Sequence, residues 1–259
     1  MRIKLTIEYD GTAYAGWQRQ KNALAVQQVV EDALTKLTKT KVVISGASRT
    51  DAGVHAIGQI AHFDTESRIP ADKYCYALNT MLPTDIRISA SEEVSEDFHA
   101  RFSTAGKLYR YQILSAHHAG AFTRNTHAHV IYPLNDALMA EELKSLIGEH
   151  DFAAFAASGS IVKDTVRTIY TADLYRRGNT VTLFVSGNGF LYNMVRIIAG
   201  TLISIGTGKL EPGAFRRAIE GKSRLDLGVT APAHGLTLME VFYDKSRLLE
   251  KAGRTDLLL

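Results

Sequence analysis

The chain has 259 residues, 46% hydrophobic and 22% charged, which is enough apolar material for one large domain or two small ones and excludes a disordered chain. A formal charge of +3, from 30 basic and 27 acidic side chains, permits a polyanionic partner without demanding one, so local clusters decide. The single cysteine, Cys75, excludes an internal disulfide and a cysteine-built zinc cage, and its apolar helical setting reads as core.

The opening MRIKLTIEYD alternates apolar and polar residues where a secretory leader would run apolar, and no stretch approaches about eighteen uninterrupted apolar residues. A cytoplasmic protein without a membrane partner is expected. Ile3, Leu5, Ile7 and Tyr9 form the buried side of a first strand that stops at Asp10-Gly11. The following TAYAGWQRQKN reads as a loop rich in aromatic, amide and basic groups. Val26, Val29, Val30, Ala33, Leu34 and Leu37 then recur at helical spacing, predicting a helix over 26–38. Strands are expected at Val42–Ile44 and again at Ile60–Phe63, followed by a helix from Pro70 to about Met81 and a strand over Ile86–Ala90. That order is the split βαβ pattern of ferredoxin-like and RNA-recognition folds.

The acidic segment after Glu92 marks a join near Arg101, giving halves of residues 1–101 and 102–259. In the second, Tyr109, Tyr111 and Ile113 resume strand alternation, and Ala128–Tyr132 suggests another strand. Asn135 is placed to cap a helix from Asp136 to Ile147 with Leu138, Met139, Leu143, Leu146 and Ile147 inward. A hairpin turns at Gly178-Asn179, a very apolar helix covers about 191–205, a short one covers 212–220, and Leu236–Tyr243 closes as a strand. The second half repeats the first with insertions, without an obvious sequence repeat. The predicted class is α+β: two ferredoxin or RRM-like halves, mainly antiparallel sheet, and a central cleft faced by loops of both.

The chemistry concentrates in GASRTDAGVHAIGQIAHF, residues 46–63, where Ser48, Arg49, Thr50, Asp51 and Gly53 crowd one loop and His55 follows. An Asp-Ala-Gly step is ordinary turn chemistry. A cation two residues away, in a polar loop between buried strands, is also how reactive carboxylates are presented. Arg196 interrupts an otherwise apolar helix; it either snorkels to solvent or pairs with an anion such as Asp51 across the cleft, keeping that carboxylate ionised and oriented. Tyr109 is either a core aromatic or a cleft phenol able to stack on a base or assist proton transfer. His55, His62 and Asp64 lack metal-ligand spacing, so no metal is expected. The GNGF segment lacks the pattern of a triphosphate loop, and there is no dinucleotide fingerprint. Basic residues lie near aromatics and amides at Trp17–Lys21, Arg101–Arg110, His117-His118 and Arg124; together with Arg49 they could make a phosphate track.

These residues carry a resemblance. EYDGTAYAGWQRQ, the 46–63 core, LNTMLPTDI, DFHARFS with KLYRY, GFLYNMVRIIAGTL and the closing APAHGLTLMEV together resemble the tRNA pseudouridine synthase A family nearly end to end. Ser48 and Ala56 stand where many members have Gly, and Thr237 where an aromatic is frequent. The resemblance implies the pseudouridine synthase fold and isomerisation of uridine to pseudouridine at positions thirty-eight to forty in the anticodon arm of tRNA. It also implies a cytoplasmic homodimer needing no cofactor. By motif, Asp51 matches the catalytic aspartate, Tyr109 the active-site tyrosine, Arg196 the basic partner of the aspartate, and Arg49 the arginine that helps extrude the target base. The competing reading is a non-catalytic tandem RRM-like RNA-binding module, which would show a Phe/Tyr-rich sheet motif that is not found here.

Overall fold

A computed structural model describes residues 1–157 and 164–255. The protein is mixed α+β with mainly antiparallel strands, and it divides into two compact units, Met1–Ala105 with Thr237–Tyr243 and Gly106–Leu236 with Asp244–Leu259. The units are thus interleaved in sequence. Among the described residues no helix is long and apolar enough to cross a membrane.

In the first unit, β1 (Arg2–Tyr9) is central, antiparallel to β3 (His55–Asp64) on one side and β4 (Ile86–Val94) on the other. Ile3, Leu5, Ile7 and Tyr9 are all buried, as their period-two spacing requires. The helix α1 (Val26–Thr38) buries Val26, Val30, Ala33 and Leu34, and α2 (Tyr74–Asn79) packs on β4 through the inward Tyr74 and Leu78. Cys75 therefore sits on the flank of α2 and is only half-buried, not core as its setting suggested.

The outer edge of β3 is shared. The two-residue β2 (Ser45–Gly46) pairs antiparallel with His62 and Ala61, while β10 (Leu236–Phe242) pairs parallel with His55 and Ala56. The strand expected at Val42–Ile44 is not formed, although its alternation is real: Val42 and Ile44 are buried and Val43 is 65% exposed. Side chains of α1 take the place of a neighbouring strand. Val42 N–H donates to Thr35 Oγ1 (3.2 Å), Ile44 N–H to Glu31 Oε1 (3.1 Å), and Gln27 Nε2 to the Ile44 carbonyl (3.1 Å).

His62, buried on β3, accepts the Ala100 N–H on Nδ1 at 3.2 Å. Burial, then the positive charges of His99 and Arg2, hold its imidazole below the ordinary range. A base depressed in this way stabilises the fold fully above its unfolded value of about 6.5, and that contribution is lost as pH falls through the lower folded value. The urea midpoint is therefore expected to drop on acidification from about pH 7.5 to about pH 5, and to drop less in His62→Gln. An equal drop in both proteins would remove His62 as the cause.

In the second unit, β5 (Gly106–Ser115), β9 (Thr180–Gly187), β8 (Val166–Arg177) and β7 (Gly148–Asp151) run antiparallel in that order, with β6 (Ala128–Val130) parallel along the end of β5. The helix α3 (Asp136–Leu143) is capped by Asn135, whose side chain accepts the Leu138 N–H at 3.2 Å. It ends four residues before the predicted limit, and Leu138 and Ile147 face solvent instead of the core. The apolar helix α4 (Met194–Gly206) is buried along most of its length and packs on β5 and α3. Two further helices, α5 (Ala214–Gly221) and α6 (Lys245–Ala252), complete the unit.

Candidate active site

Residues 47–54 have little regular structure, yet several of their backbone groups are tied down. Ala47 N–H donates to the Ile60 carbonyl at 2.7 Å. The fully buried Gln59 clamps Ser48 twice, accepting its N–H at 3.2 Å and donating to its carbonyl at 2.8 Å. Thr50 is held at both ends: its carbonyl accepts the Trp17 N–H at 3.0 Å, and its hydroxyl lies 2.7 Å from the Tyr9 hydroxyl. Asp51 then opens a tight turn closed by Val54 N–H on the Asp51 carbonyl at 3.1 Å, with Gly53 at φ +77° supplying the left-handed position such a turn needs.

Residues 9–17 brace this loop from behind. Gly53 N–H donates to the Tyr14 carbonyl at 3.3 Å, and Gly11 N–H donates to His55 Nδ1 at 3.0 Å, with Asp10 Oδ1 3.2 Å from the same nitrogen. Burial pushes the Asp10 carboxyl up, but bonds from the Thr12 hydroxyl and N–H, with His55 beside it, bring it below its usual range. Gly16, at φ +87°, lies so close that a Cβ there would be 2.5 Å from the Thr50 carbonyl oxygen and 3.0 Å from the Asp51 carbonyl carbon. Asp51 is half-buried and Arg49 is exposed, so one loop carries a carboxylate and a cation two residues apart.

Tyr109, Tyr111 and Arg196 belong to the second unit. Tyr109, on β5, is 7% exposed and sits edge-on to Phe190 with ring centroids 5.1 Å apart. Two residues along the same face, Tyr111 is fully buried and donates to the Pro232 carbonyl at 2.8 Å. Burial pushes the Tyr111 phenol up while the nearby Arg196 charge opposes it. Arg196, in the first turn of α4, is no snorkelling surface arm: Nε donates to the Ala231 carbonyl at 2.9 Å and Nη1 to Asn193 Oδ1 at 2.7 Å. The guanidinium is thereby fixed in direction.

Trp17 is 2% exposed and stacks on Tyr9 at 6.0 Å, and Arg19 is paired to Glu31 (2.7 Å) and Asp32 (2.9 Å). The residues that sequence reasoning missed are Tyr9 and Gly16, which reach the loop from far along the chain, and Gln59, which reaches back to it from β3. His55 begins β3. Among the described residues no group of three or more His, Cys, Asp or Glu is placed to hold a metal ion.

The sequence profile of a family described as tRNA pseudouridine synthase matches residues 5–103 and 143–244. Arg49, Asp51 and Arg196 fall inside the matched segments, and Tyr109 falls between them. The chain is 54% identical to tRNA pseudouridine synthase A of Ruminiclostridium cellulolyticum, over 93% of this chain and 99% of that protein. It is 50% identical to the protein of the same name from Acetivibrio thermocellus, with 93% and 99% covered, and 46% identical to that of Bacillus subtilis, with 94% and 100% covered. With a likeness of this degree running almost end to end, the chain belongs to the tRNA pseudouridine synthase family.

Proposed function

We propose that the protein isomerises uridine to pseudouridine at positions thirty-eight to forty in the anticodon arm of tRNA, with Asp51 as the reacting carboxylate. The observation that carries this reading is the loop itself: a half-buried aspartate on a segment whose backbone is strapped to β3 and to residues 9–17. Such rigidity holds a reacting group in place without reorganisation during the reaction.

The reaction breaks the bond from N1 to C1′, turns the uracil, joins C5 to C1′, releases the C5 proton and leaves a proton on N1, so that product and substrate are isomers. It consumes no redox equivalent and no phosphoryl donor. A carboxylate serves this chemistry as a nucleophile at C6 or at C1′, or as a base at C2′ in an elimination route. In the proposed arrangement two ferredoxin-like halves face a common cleft. There Arg196 keeps Asp51 ionised and Tyr109 stacks on the uracil and assists loss of the C5 proton. The target base must leave its stack at a cost of about a few kcal/mol, and Arg49 fills the space it vacates. The enzyme works in the cytoplasm as a homodimer whose second subunit helps hold the tRNA; a monomer with full activity at low concentration would exclude that assembly.

Incubation with unmodified tRNA in the presence of a chelator, followed by mapping of pseudouridine, tests the function. Modification confined to the anticodon arm is expected, and absence of product would overturn the reading. Arg196→Leu is expected to lower the single-turnover rate by roughly 100- to 1000-fold, while circular dichroism still shows a folded chain. A rate near that of the unaltered protein would detach Arg196 from the chemistry.

A further inference from the structure

Arg110 lies between Tyr109 and Tyr111 on β5, and strand alternation sends it to the opposite face, with Leu108 and Gln112. Across the strand pair it faces Phe184. Beside it, Gln112 Nε2 lies 3.3 Å from His127 Nε2, and His234 Nε2 donates to the His127 carbonyl at 3.0 Å.

The Nε of Arg110 is buried without a hydrogen-bond partner. Among the described residues its guanidinium makes neither an ion pair nor a hydrogen bond, whereas Arg2, Arg19 and Arg176 are bonded to carboxylates and Arg196 to Asn193 and Ala231. On the side of β9 and β8, Asp173 is aligned with the far side of Phe184. It is therefore two strands away, about 10 Å at ordinary strand spacing, and it accepts the Thr255 hydroxyl at 3.3 Å. Burial alone pulls the Arg110 guanidinium below its usual range; burial, then the charges of Arg110 and His234, do the same to His127. A half-covered cation with no counter-charge is costly to keep, and a planar fork of donors matches a phosphate.

We propose that Arg110, with Gln112 and His127 beside it, is a binding site for a phosphate group of the RNA backbone, separate from the loop of Asp51. The proposal rests on the reading that the protein binds tRNA, and it names a contact for that binding.

The test is the salt dependence of tRNA affinity, measured without turnover so that its result does not depend on the role of Asp51. In Arg110→Gln the plot of log affinity against log salt is expected to flatten by about 0.7 to 0.9, the share of one phosphate contact. Arg110→Lys, which keeps the charge and guards against a folding defect in the glutamine variant, is expected to retain most of the slope. An unchanged slope in Arg110→Gln overturns the proposal, whether the variant is simply more heat-stable or its dimer is weakened because a second copy supplies the missing carboxylate. A parallel arm measures thermal stabilisation by inorganic phosphate against chloride at matched ionic strength. Stabilisation that Arg110→Gln loses, together with an unchanged tRNA slope, would assign the site to a small free anion and overturn the RNA assignment. A flattened slope supports it.

Discussion

Asp51→Asn is expected to reduce pseudouridine formation by on the order of 10⁴-fold or more while tRNA binds within about threefold of the unaltered affinity. The amide keeps the size of the side chain and removes its charge and nucleophilicity. The bonds that hold Ala47, Ser48, Thr50 and Gly53 run through their backbones or to the Tyr9 hydroxyl, and the turn closes on the Asp51 carbonyl, so these bonds do not depend on that charge. The fold and the loop path should therefore survive, which separates loss of chemistry from loss of structure. Steady-state pseudouridine formation and tRNA titration on the same preparation measure both quantities. Loss of binding in parallel with activity would mean that Asp51 organises the tRNA site instead of reacting.

Gly16→Ala is expected to damage turnover as well, although Gly16 is a positioning residue. At φ +87° an alanine pays about 1–2 kcal/mol for its left-handed backbone, and its Cβ would lie 2.5 Å from the Thr50 carbonyl oxygen. The obstacle is backbone, not the end of a flexible side chain, so the segment from Thr50 to Ala52 has to move. A displacement near 1 Å costs roughly 100-fold in rate when a reacting group must meet its target in one geometry. The loss should fall on kcat more than on KM, with a urea-measured destabilisation of about 2–3 kcal/mol. An effect confined to stability, with kcat unchanged, would show that the loop tolerates the shift.

The local elements were legible where one face carries the pattern. The helix over Val26–Thr38 follows from apolar residues three and four apart, and Asn135 caps α3 as its amide chemistry predicts. Where alternation marks burial but the backbone bonds to side chains, as at Val42–Ile44, the pattern reads as strand and the structure makes none. Two elements escaped notice for the opposite reason. β7 is four residues of polar Gly-Glu-His-Asp, and α6 buries only Leu248 and Ala252.

The loop around Asp51 could be read because small and charged residues interrupt two buried stretches. Its support could not. Tyr9, Gly16 and Gln59 look locally like strand and turn residues, and their role exists only once β1 and β3 pair and residues 11–17 fold back against residue 50. Trp17 misleads in the same manner: beside Arg19 and Lys21 it reads as a nucleic-acid contact, whereas tertiary packing buries it on Tyr9.

The most direct measurement is single-turnover release of tritium from uracil C5, with enzyme in excess over tRNA labelled in the anticodon arm. The unaltered protein should release the label in the presence of a chelator and with no added cofactor, while Asp51→Asn, bound to the same tRNA, should release none above background. Release by Asp51→Asn at the unaltered rate would contradict the assignment of the chemistry to that carboxylate.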